Sequence, residues 1–221
     1  IGDLARMVNY LDKQLRANSF SGETGREIKG KHLGIIGFGS IGKKVARIAS
    51  YGFNMRVHGF GRSSKKEIEN RYRMPIDEFN HLFGLESYTN NIEEILPRCD
   101  FVSCHLPLTE HTQGFFNKRL FSQFKKDAYF INTSRGGIVD EAALNEVLGP
   151  GQIKGAALDV YNKEPYVPEK GQKDLRLWNR VVLTPHIASD TKEANTRMAR
   201  VALDNIYHFF DGEFDEIKRA L

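Results

Sequence analysis

The chain has 221 residues, of which 40% are hydrophobic and 27% charged, a composition typical of a globular protein. No apolar run approaches the ~18 residues of a membrane-spanning helix, so no membrane span is expected. The net charge of +4 comes from scattered basic residues, and no basic helix carries interleaved aromatic residues. A mildly basic surface, or attraction to an anionic small molecule, therefore explains it better than nucleic-acid binding.

Two cysteines, Cys99 and Cys104, stand at the ends of one apolar segment. In an extended chain they lie too far apart to form a disulfide, and no cysteine and histidine set has the spacing of a zinc site. We therefore expect reduced thiols, no metal and a cytoplasmic location. The first residues show neither a signal-peptide pattern nor an initiator Met, so we expect a fragment or a processed piece.

Helical and strand-like segments follow one another along the chain. Apolar residues recur with helical periodicity over residues 3–17, and a polar loop follows. Continuous apolar runs predict strands at 32–37, 54–60, 101–106, 128–133, 155–160 and 181–184, with a possible short strand near 85–88. Periodicity predicts helices at 41–51, 92–96, 141–148 and 192–210, and the polar segment 61–80 is expected to be a loop with a short helix.

These predicted strands are continuously apolar, which is typical of strands covered by helices on both faces. Strands and helices also alternate along the chain, which favours parallel pairing. The sequence therefore predicts an α/β domain with a doubly wound parallel sheet, the Rossmann-type dinucleotide-binding architecture.

The turn after the first predicted strand reads Gly37-Phe38-Gly39-Ser40-Ile41-Gly42, a G-x-G-x-x-G pattern that leads into a helix. Gly37 permits the tight turn, Gly39 leaves room for a phosphate, and Gly42 lets the helix pack close to the strand. The pattern predicts a pyrophosphate site at a helix N-terminus. A purely structural glycine-rich turn is the alternative.

Polar side chains follow several of the other predicted strands. In open parallel sheets, ligands bind beyond the carboxyl ends of the strands. Arg135 follows the strand at 128–133. The strand at 155–160 carries Asp159 and leads into Glu164, and His186 follows the last strand. We expect these four residues to meet at the edge that carries the glycine turn.

The segments GFGSIG, HLPLT, NTSRGG, ALDVYNKEP and TPHIASDT, in this order, resemble the D-isomer-specific 2-hydroxyacid dehydrogenases over nearly the whole chain. The resemblance is greatest to the glyoxylate/hydroxypyruvate reductases and to the glycerate and phosphoglycerate dehydrogenases. It implies an oxidoreductase that transfers a hydride between a nicotinamide cofactor and a small D-2-hydroxy acid or 2-oxo acid. It also implies a homodimer.

The same resemblance implies a division of the chain into three parts. Residues 1–25 would form a linker and dimerisation helix with its loop, residues 26–190 the dinucleotide-binding domain, and residues 191–221 a helix returning toward a substrate domain. The first half of that substrate domain would precede Ile1, so the isolated chain is expected to have little activity.

The resemblance also assigns roles to individual residues. His186 would donate the proton to the substrate and remove it in the reverse direction, with Glu164 as its acidic partner. Arg135 would bind the substrate carboxylate, and Asp159 would lie near the nicotinamide. The alternatives are a loop-bonding histidine, a solvated acid, a surface arginine and a turn-capping aspartate. The cofactor site would comprise Gly37, Gly39, Ser40, Ile41, Gly42, Arg62, Ser63, His105, Leu106, Pro107, Thr112, Thr133, Ser134, Asp159, His186 and Ala188.

The segment after the second predicted strand bears on the choice between NAD and NADP. NAD-binding members place an acid at the end of this strand to hold the ribose hydroxyls, but Phe60 occupies that position here. Arg62 and Ser63 follow it, and an arginine is suited to a 2′-phosphate. The sequence favours NADP, and a solvated basic loop in an NAD enzyme is the alternative.

Two other functions share parts of this pattern. Corepressors of the C-terminal-binding-protein type resemble the same family and sense dinucleotides, and they retain its Arg, Glu and His. Formate-dehydrogenase-like members carry Gln in place of the Glu, so Glu164 argues against that reading. Of the remaining histidines, His58 is expected to be packing within a strand, and His105 is expected to shape the cofactor wall through its backbone.

Overall fold

The computed structural model describes residues 1–20 and 22–217. In this part of the chain, seven parallel strands form one sheet in the order β3-β2-β1-β4-β5-β6-β7. Their bounds are β1 His32–Ile36, β2 Arg56–Phe60, β3 Leu85–Thr89, β4 Phe101–Cys104, β5 Tyr129–Asn132, β6 Gly155–Leu158 and β7 Val181–Leu183. The strand order reverses at β1, so the predicted doubly wound parallel sheet is confirmed.

Both faces of the sheet are covered. Every residue of β4 and β5 is buried, as expected for strands with helices on either side. One core cluster is built around Phe116, Phe121 and Phe130, and the other around Leu33 and Phe79. Cys99 and Cys104 are buried free thiols, which agrees with the absence of a disulfide predicted from their spacing.

Eight α-helices are described: α1 Gly2–Arg6, α2 Val8–Arg16, α3 Ser40–Arg47, α4 Lys65–Tyr72, α5 Ile76–Phe83, α6 Lys118–Phe121, α7 Glu141–Leu148 and α8 Lys192–Phe210. None of the helices in the described residues has both the length and the apolar composition to cross a lipid bilayer. The predicted helices at 141–148 and 192–210 are confirmed by α7 and α8. The helix predicted at 41–51 is α3 followed by a π-helical turn, Ile48–Gly52.

The leading helix differs from its prediction. Met7 has φ of 53° and breaks the helix into α1 and α2. Leu4, Ala5 and Met7 are buried, whereas no residue of α2 is. Periodicity locates apolar positions on a helix face, but a single left-handed residue leaves that spacing unchanged and so escapes detection.

The prediction for residues 92–96 was wrong in helix type. Two 3-10 turns, Ile92–Glu94 and Leu96–Arg98, replace the expected helix. Pro97 lies in the second turn. Because proline has no backbone N–H and its ring clashes with the preceding turn, a regular α-helix cannot continue through it.

The polar segment 61–80 contains more structure than predicted. Ser64 caps α4 through a capping box with Glu67. The helix α5 follows, and its C-cap is Gly84, which has φ of 67°. Phe79 of α5 is fully buried, and its ring packs edge-on against Phe83 at 4.9 Å between centroids. The Ser64-x-x-Glu67 pattern was the signal that could have revealed α4.

The chain divides into two compact units, Ile1–Thr184 and a second unit that begins at Pro185. The first holds the sheet and α1 to α7. The second holds α8, which begins after Thr191, whose side chain accepts a hydrogen bond from the Ala194 amide at 3.1 Å. None of the α8 residues is buried.

Candidate active site

The glycine turn after β1 is held between two neighbouring strands. The Gly37 amide donates to the Phe60 carbonyl at 3.0 Å, and the His105 amide donates to the Ile36 carbonyl at 2.7 Å. Gly37 has φ of 105°, and a Cβ there would lie 2.6 Å from the His105 carbonyl oxygen. A Cβ on Gly42 would lie 2.3 Å from the Gly37 carbonyl oxygen. Neither position accepts a side chain, for the reasons that the motif predicts.

Gly39 differs from these two glycines. It is the N-cap of α3, no side chain caps this helix, and a Cβ on Gly39 would meet no atom within 4 Å. The first backbone amides of α3, those of Ser40 and Ile41, therefore face open space at the positive end of the helix dipole. We call this space, with Gly37, Gly39 and Gly42 around it, the glycine cradle. This arrangement fits the pyrophosphate of a nicotinamide dinucleotide.

The loop after β2 is basic and is held by hydrogen bonds from two neighbouring elements. The Tyr88 hydroxyl donates to the Ser63 carbonyl at 3.0 Å, and a Cβ on Gly61 would lie 2.5 Å from that hydroxyl. Arg71 of α4 reaches back and donates from Nη2 to the Ser63 hydroxyl at 3.3 Å. Sequence reasoning missed Arg71, because its distance of eight residues from Ser63 is informative only once α4 is known.

Glu67 of α4 contacts the end of this loop at Ser64. Its carboxylate accepts hydrogen bonds from the amide and hydroxyl of Ser64 at 2.7 and 2.8 Å. These bonds, with Arg71 and Arg62 nearby, lower the pKa of Glu67. The carboxylate is thus engaged in capping α4, with two guanidinium groups close enough to stabilise its charge.

The segment after β4 forms one wall of the cradle. His105 is half-buried, its Nε2 lies 3.0 Å from the Ser103 hydroxyl, and burial lowers its pKa to about 4. His105 is therefore neutral at pH 7. Leu106 and Pro107 follow, and the Thr112 hydroxyl donates to the Pro107 carbonyl at 2.6 Å, which closes the loop.

Asn132, the last residue of β5, organises the turn that carries Arg135. Its buried Oδ1 accepts from the Ser134 amide and hydroxyl at 3.0 and 2.8 Å, and its Nδ2 donates to the Arg135 carbonyl at 3.0 Å. Thr133 and the Arg135 side chain are exposed at the end of the strand. Asn132 was not predicted, although one polar residue ending the apolar run Tyr-Phe-Ile was a visible signal.

The Arg135 turn packs against the loop that carries Glu164. A Cβ on Gly136 would lie 1.9 Å from the Tyr161 carbonyl oxygen, so the two backbones are in direct contact. The Tyr161 amide donates to Glu164 Oε1 at 3.1 Å. The Asn162 amide donates to Oε1 of Glu141 at 2.7 Å. Glu141 is buried, and burial raises its pKa.

Asp159 is buried just beyond β6 and is held by Thr184. The Thr184 hydroxyl donates to Asp159 Oδ1 at 2.5 Å, and the Tyr161 hydroxyl donates to the Thr184 carbonyl at 2.9 Å. Sequence reasoning did not single out Thr184. Its proximity to Asp159 follows from the pairing of β6 with β7, which the sequence does not specify.

His186 and Ala188 lie in the second unit, directly after Thr184 along the chain. Both are exposed, and His186 has φ of 56°, a left-handed conformation that is uncommon for a non-glycine residue. The other predicted site residues lie in the first unit. This unit contains the glycine cradle, the basic loop after β2, Asp159 and the packed loops that carry Arg135 and Glu164.

The profile of the D-isomer specific 2-hydroxyacid dehydrogenases, NAD binding domain, matches residues 1–188. The chain belongs to this family. The family assignment confirms the resemblance seen in the motifs.

Individual dehydrogenases of the family are similar to this chain. A glyoxylate reductase from Aeropyrum pernix is 39% identical over 189 residues, which cover 86% of this chain and 51% of the relative. A probable 2-ketogluconate reductase from Dictyostelium discoideum is 35% identical over 218 residues, covering 96% and 60%. The chain therefore spans roughly half the length of the curated relatives it matches.

A solved glyoxylate reductase structure from Paecilomyes thermophila superposes with a TM-score of 0.78 at 30% identity, covering 93% of this chain and 58% of that one. The fold described above is therefore that of the dehydrogenase cofactor domain.

Proposed function

We propose that a protein containing this chain reduces small 2-oxo acids to D-2-hydroxy acids with a nicotinamide cofactor, and catalyses the reverse reaction. The packing of the Arg135 turn against the Glu164 loop, at the sheet edge that holds the glycine cradle, carries this proposal. Glyoxylate and related short 2-oxo acids are the first substrates to test, because glyoxylate reductases are among the similar proteins.

The bound cofactor supplies the hydride, and the protein positions the substrate and the proton. Arg135 binds the carboxylate of the 2-oxo acid and polarises its carbonyl through a forked guanidinium. His186 donates the proton to the developing alkoxide and removes it in the reverse direction. Glu164 is the acidic partner that the family pairs with this histidine. These roles are carried over from the family to the matching positions.

Turnover in a protein that joins this chain to a complete substrate domain tests the proposal. Cofactor oxidation should depend on glyoxylate and saturate with it. Arg135→Leu should lower kcat/KM by about 100-fold or more, because a charged group that stabilises the developing oxyanion is lost, while the Kd of the reduced cofactor stays within twofold.

The matched control is Arg119→Leu, which removes an exposed arginine that pairs with Glu93. It should leave turnover unchanged. Equal turnover in the Arg135→Leu and Arg119→Leu proteins would contradict the role of Arg135, and saturable cofactor binding without any substrate-dependent oxidation would favour a dinucleotide sensor.

We further propose that the cofactor is NADP. Arg62 and Ser63 lie in the loop after β2, and Arg71 of α4 donates a hydrogen bond to the Ser63 hydroxyl. Phe60 occupies the position where an acid would hold an unmodified ribose. Arginine and phosphate form bidentate, charge-assisted hydrogen bonds. The Glu67 carboxylate is engaged by the Ser64 amide.

Fluorescence titration with NADPH and NADH tests this preference on the 221-residue chain itself. NADPH should bind more tightly, and Arg62→Ala should weaken NADPH by roughly tenfold or more, the value of a charged hydrogen bond, with NADH unchanged. Lys66→Ala, which removes an exposed cation of the neighbouring helix α4, is the control. Tighter NADH binding by the unsubstituted chain would overturn the NADP proposal and leave the family assignment intact.

We also propose a cytoplasmic homodimer. Val8 and Leu15 of α2 are 56% and 58% exposed, and Phe20 is 98% exposed. Such a strip of apolar side chains along the leading segment is suited to contact with a second copy. The buried free thiols are compatible with a reducing compartment.

A further inference from the structure

Three side chains from neighbouring strands meet away from the cofactor edge. His32 is the first residue of β1, His58 lies in the middle of β2, and Glu86 is the second residue of β3. The Nδ1 atom of His32 lies 2.8 Å from Nε2 of His58. One ring nitrogen from each histidine and a Glu86 carboxylate oxygen all lie within 4.8 Å of one another.

We propose that His32, His58 and Glu86 form a binding site for a divalent transition-metal ion, with Zn²⁺ as the best-suited occupant. Two imidazole nitrogens and one carboxylate oxygen are a donor set that Zn²⁺ uses, with a fourth position left to water. The borderline softness of imidazole favours Zn²⁺ over Mg²⁺ or Ca²⁺, which prefer all-oxygen sites.

Ser87 fixes the orientation of the His58 ring. Its hydroxyl lies 2.8 Å from His58 Nδ1, which leaves Nε2 directed at His32. A hydrogen bond to the second ring nitrogen is the usual way in which a metal-binding histidine is oriented. All the residues involved are on strands, which hold ligands more rigidly than loops do.

Metal binding requires two local changes. The 2.8 Å between the two nitrogens is a hydrogen-bond distance, and two ligands at about 2.0–2.1 Å from a tetrahedral ion stand roughly 3.3 Å apart. The rings must therefore turn and separate by about half an ångström. Glu86 must also be shared with Arg56, whose Nε lies 3.0 Å from Oε2. Both partners are about half exposed, so this pair is weak and exchanges readily.

Isothermal titration of the tag-free chain with ZnCl₂, after dialysis against a chelator and then a non-coordinating buffer, tests the site. We expect one saturable equivalent for the unsubstituted chain and a rise in Tm on binding. His32→Gln should weaken binding by at least tenfold and abolish the Tm rise. Glu86→Gln, a nearly isosteric substitution at an exposed position, should weaken zinc binding by severalfold.

His81→Gln, which removes an exposed histidine elsewhere, is the matched control and should bind as the unsubstituted chain does. Circular dichroism verifies that each variant is folded. If the His32→Gln protein is unfolded, the affinity of the Glu86→Gln protein still tests the site. No saturable binding by the unsubstituted chain, or equal affinity in the Glu86→Gln and His81→Gln proteins, would overturn the proposal. Neither result depends on catalytic activity or on cofactor binding.

Discussion

At the residue scale, glycines that look alike in the sequence have different physical reasons to be there. Gly37 and Gly42 are excluded from carrying a side chain by backbone atoms at 2.6 and 2.3 Å, whereas Gly39 faces open space. Gly136 is more tightly enclosed than any of them, by the Tyr161 carbonyl at 1.9 Å. A substitution at each position should therefore fail in a different way.

We expect Gly136→Ala to destabilise the domain, because its Cβ overlaps backbone atoms that no side-chain rotation relieves. Overpacking of this kind costs about 1–3 kcal/mol or more. Gly39→Ala should unfold at the same denaturant concentration as the unsubstituted chain and lose dinucleotide affinity instead. Urea unfolding and cofactor titration of both proteins separate the two effects, and a Gly136→Ala protein with an unchanged urea midpoint would show that the Arg135 and Glu164 loops are not in tight contact.

Residue-level prediction from the sequence reached the charged and glycine positions and missed the residues that hold them. Asn132, Thr184 and Arg71 act through hydrogen bonds to groups that are distant in the chain or that depend on a turn. Short polar residues are common at strand ends, and only the partner reveals which of them organises a site.

At the element scale, burial decided which helices the sequence revealed. The strands β1 and β4 to β7 are apolar runs because both faces are covered, and they were all predicted close to their observed bounds. The helix α4 has a single buried residue, Ile68, so its apolar signal is nearly absent. For such a surface helix, the capping box at Ser64 and Glu67 is a better indicator than periodicity.

The element α5 shows the opposite case. Phe79 is fully buried and contacts Phe38, Tyr72 and Tyr88 as well as Phe83. Aromatic residues brought together from the glycine turn, two helices and β3 form this cluster. A helix of eight residues within a polar segment offers too few apolar positions to identify in advance, although its packing anchors α5 against the edge strand β3.

At the scale of the whole molecule, the apolar surface of the leading segment has a direct consequence. If α2 contacts a second copy, light scattering at micromolar concentration should give twice the 25.2 kDa mass of the chain. Val8→Glu with Leu15→Glu should return the mass to that of a monomer, because two buried charges at an interface are strongly unfavourable.

Leu177→Glu is the control for this experiment, since Leu177 is 66% exposed on a different part of the domain. It should remain dimeric. A monomer for the unsubstituted chain would contradict the homodimer proposal, and a dimer that survives the double substitution would place the interface elsewhere.

The sequence by itself determined the fold class, the glycine cradle and the identity of the charged residues at the sheet edge. These features are encoded locally, by continuous apolar strands, by a six-residue turn motif and by polar residues at strand ends. Apolar strand runs and turn motifs involve residues that are close together in the chain, so the sequence alone is enough to recognise them.

Only the tertiary structure decided which distant groups touch. The contact of Gly136 with Tyr161, the bond from Thr184 to Asp159, the reach of Arg71 to Ser63 and the meeting of His32, His58 and Glu86 all depend on strand order and register. His58 illustrates the limit, because the sequence predicted a packing residue and the structure shows a buried histidine bonded to two polar partners. Pairing between strands is a non-local choice, and no spacing along the chain records it.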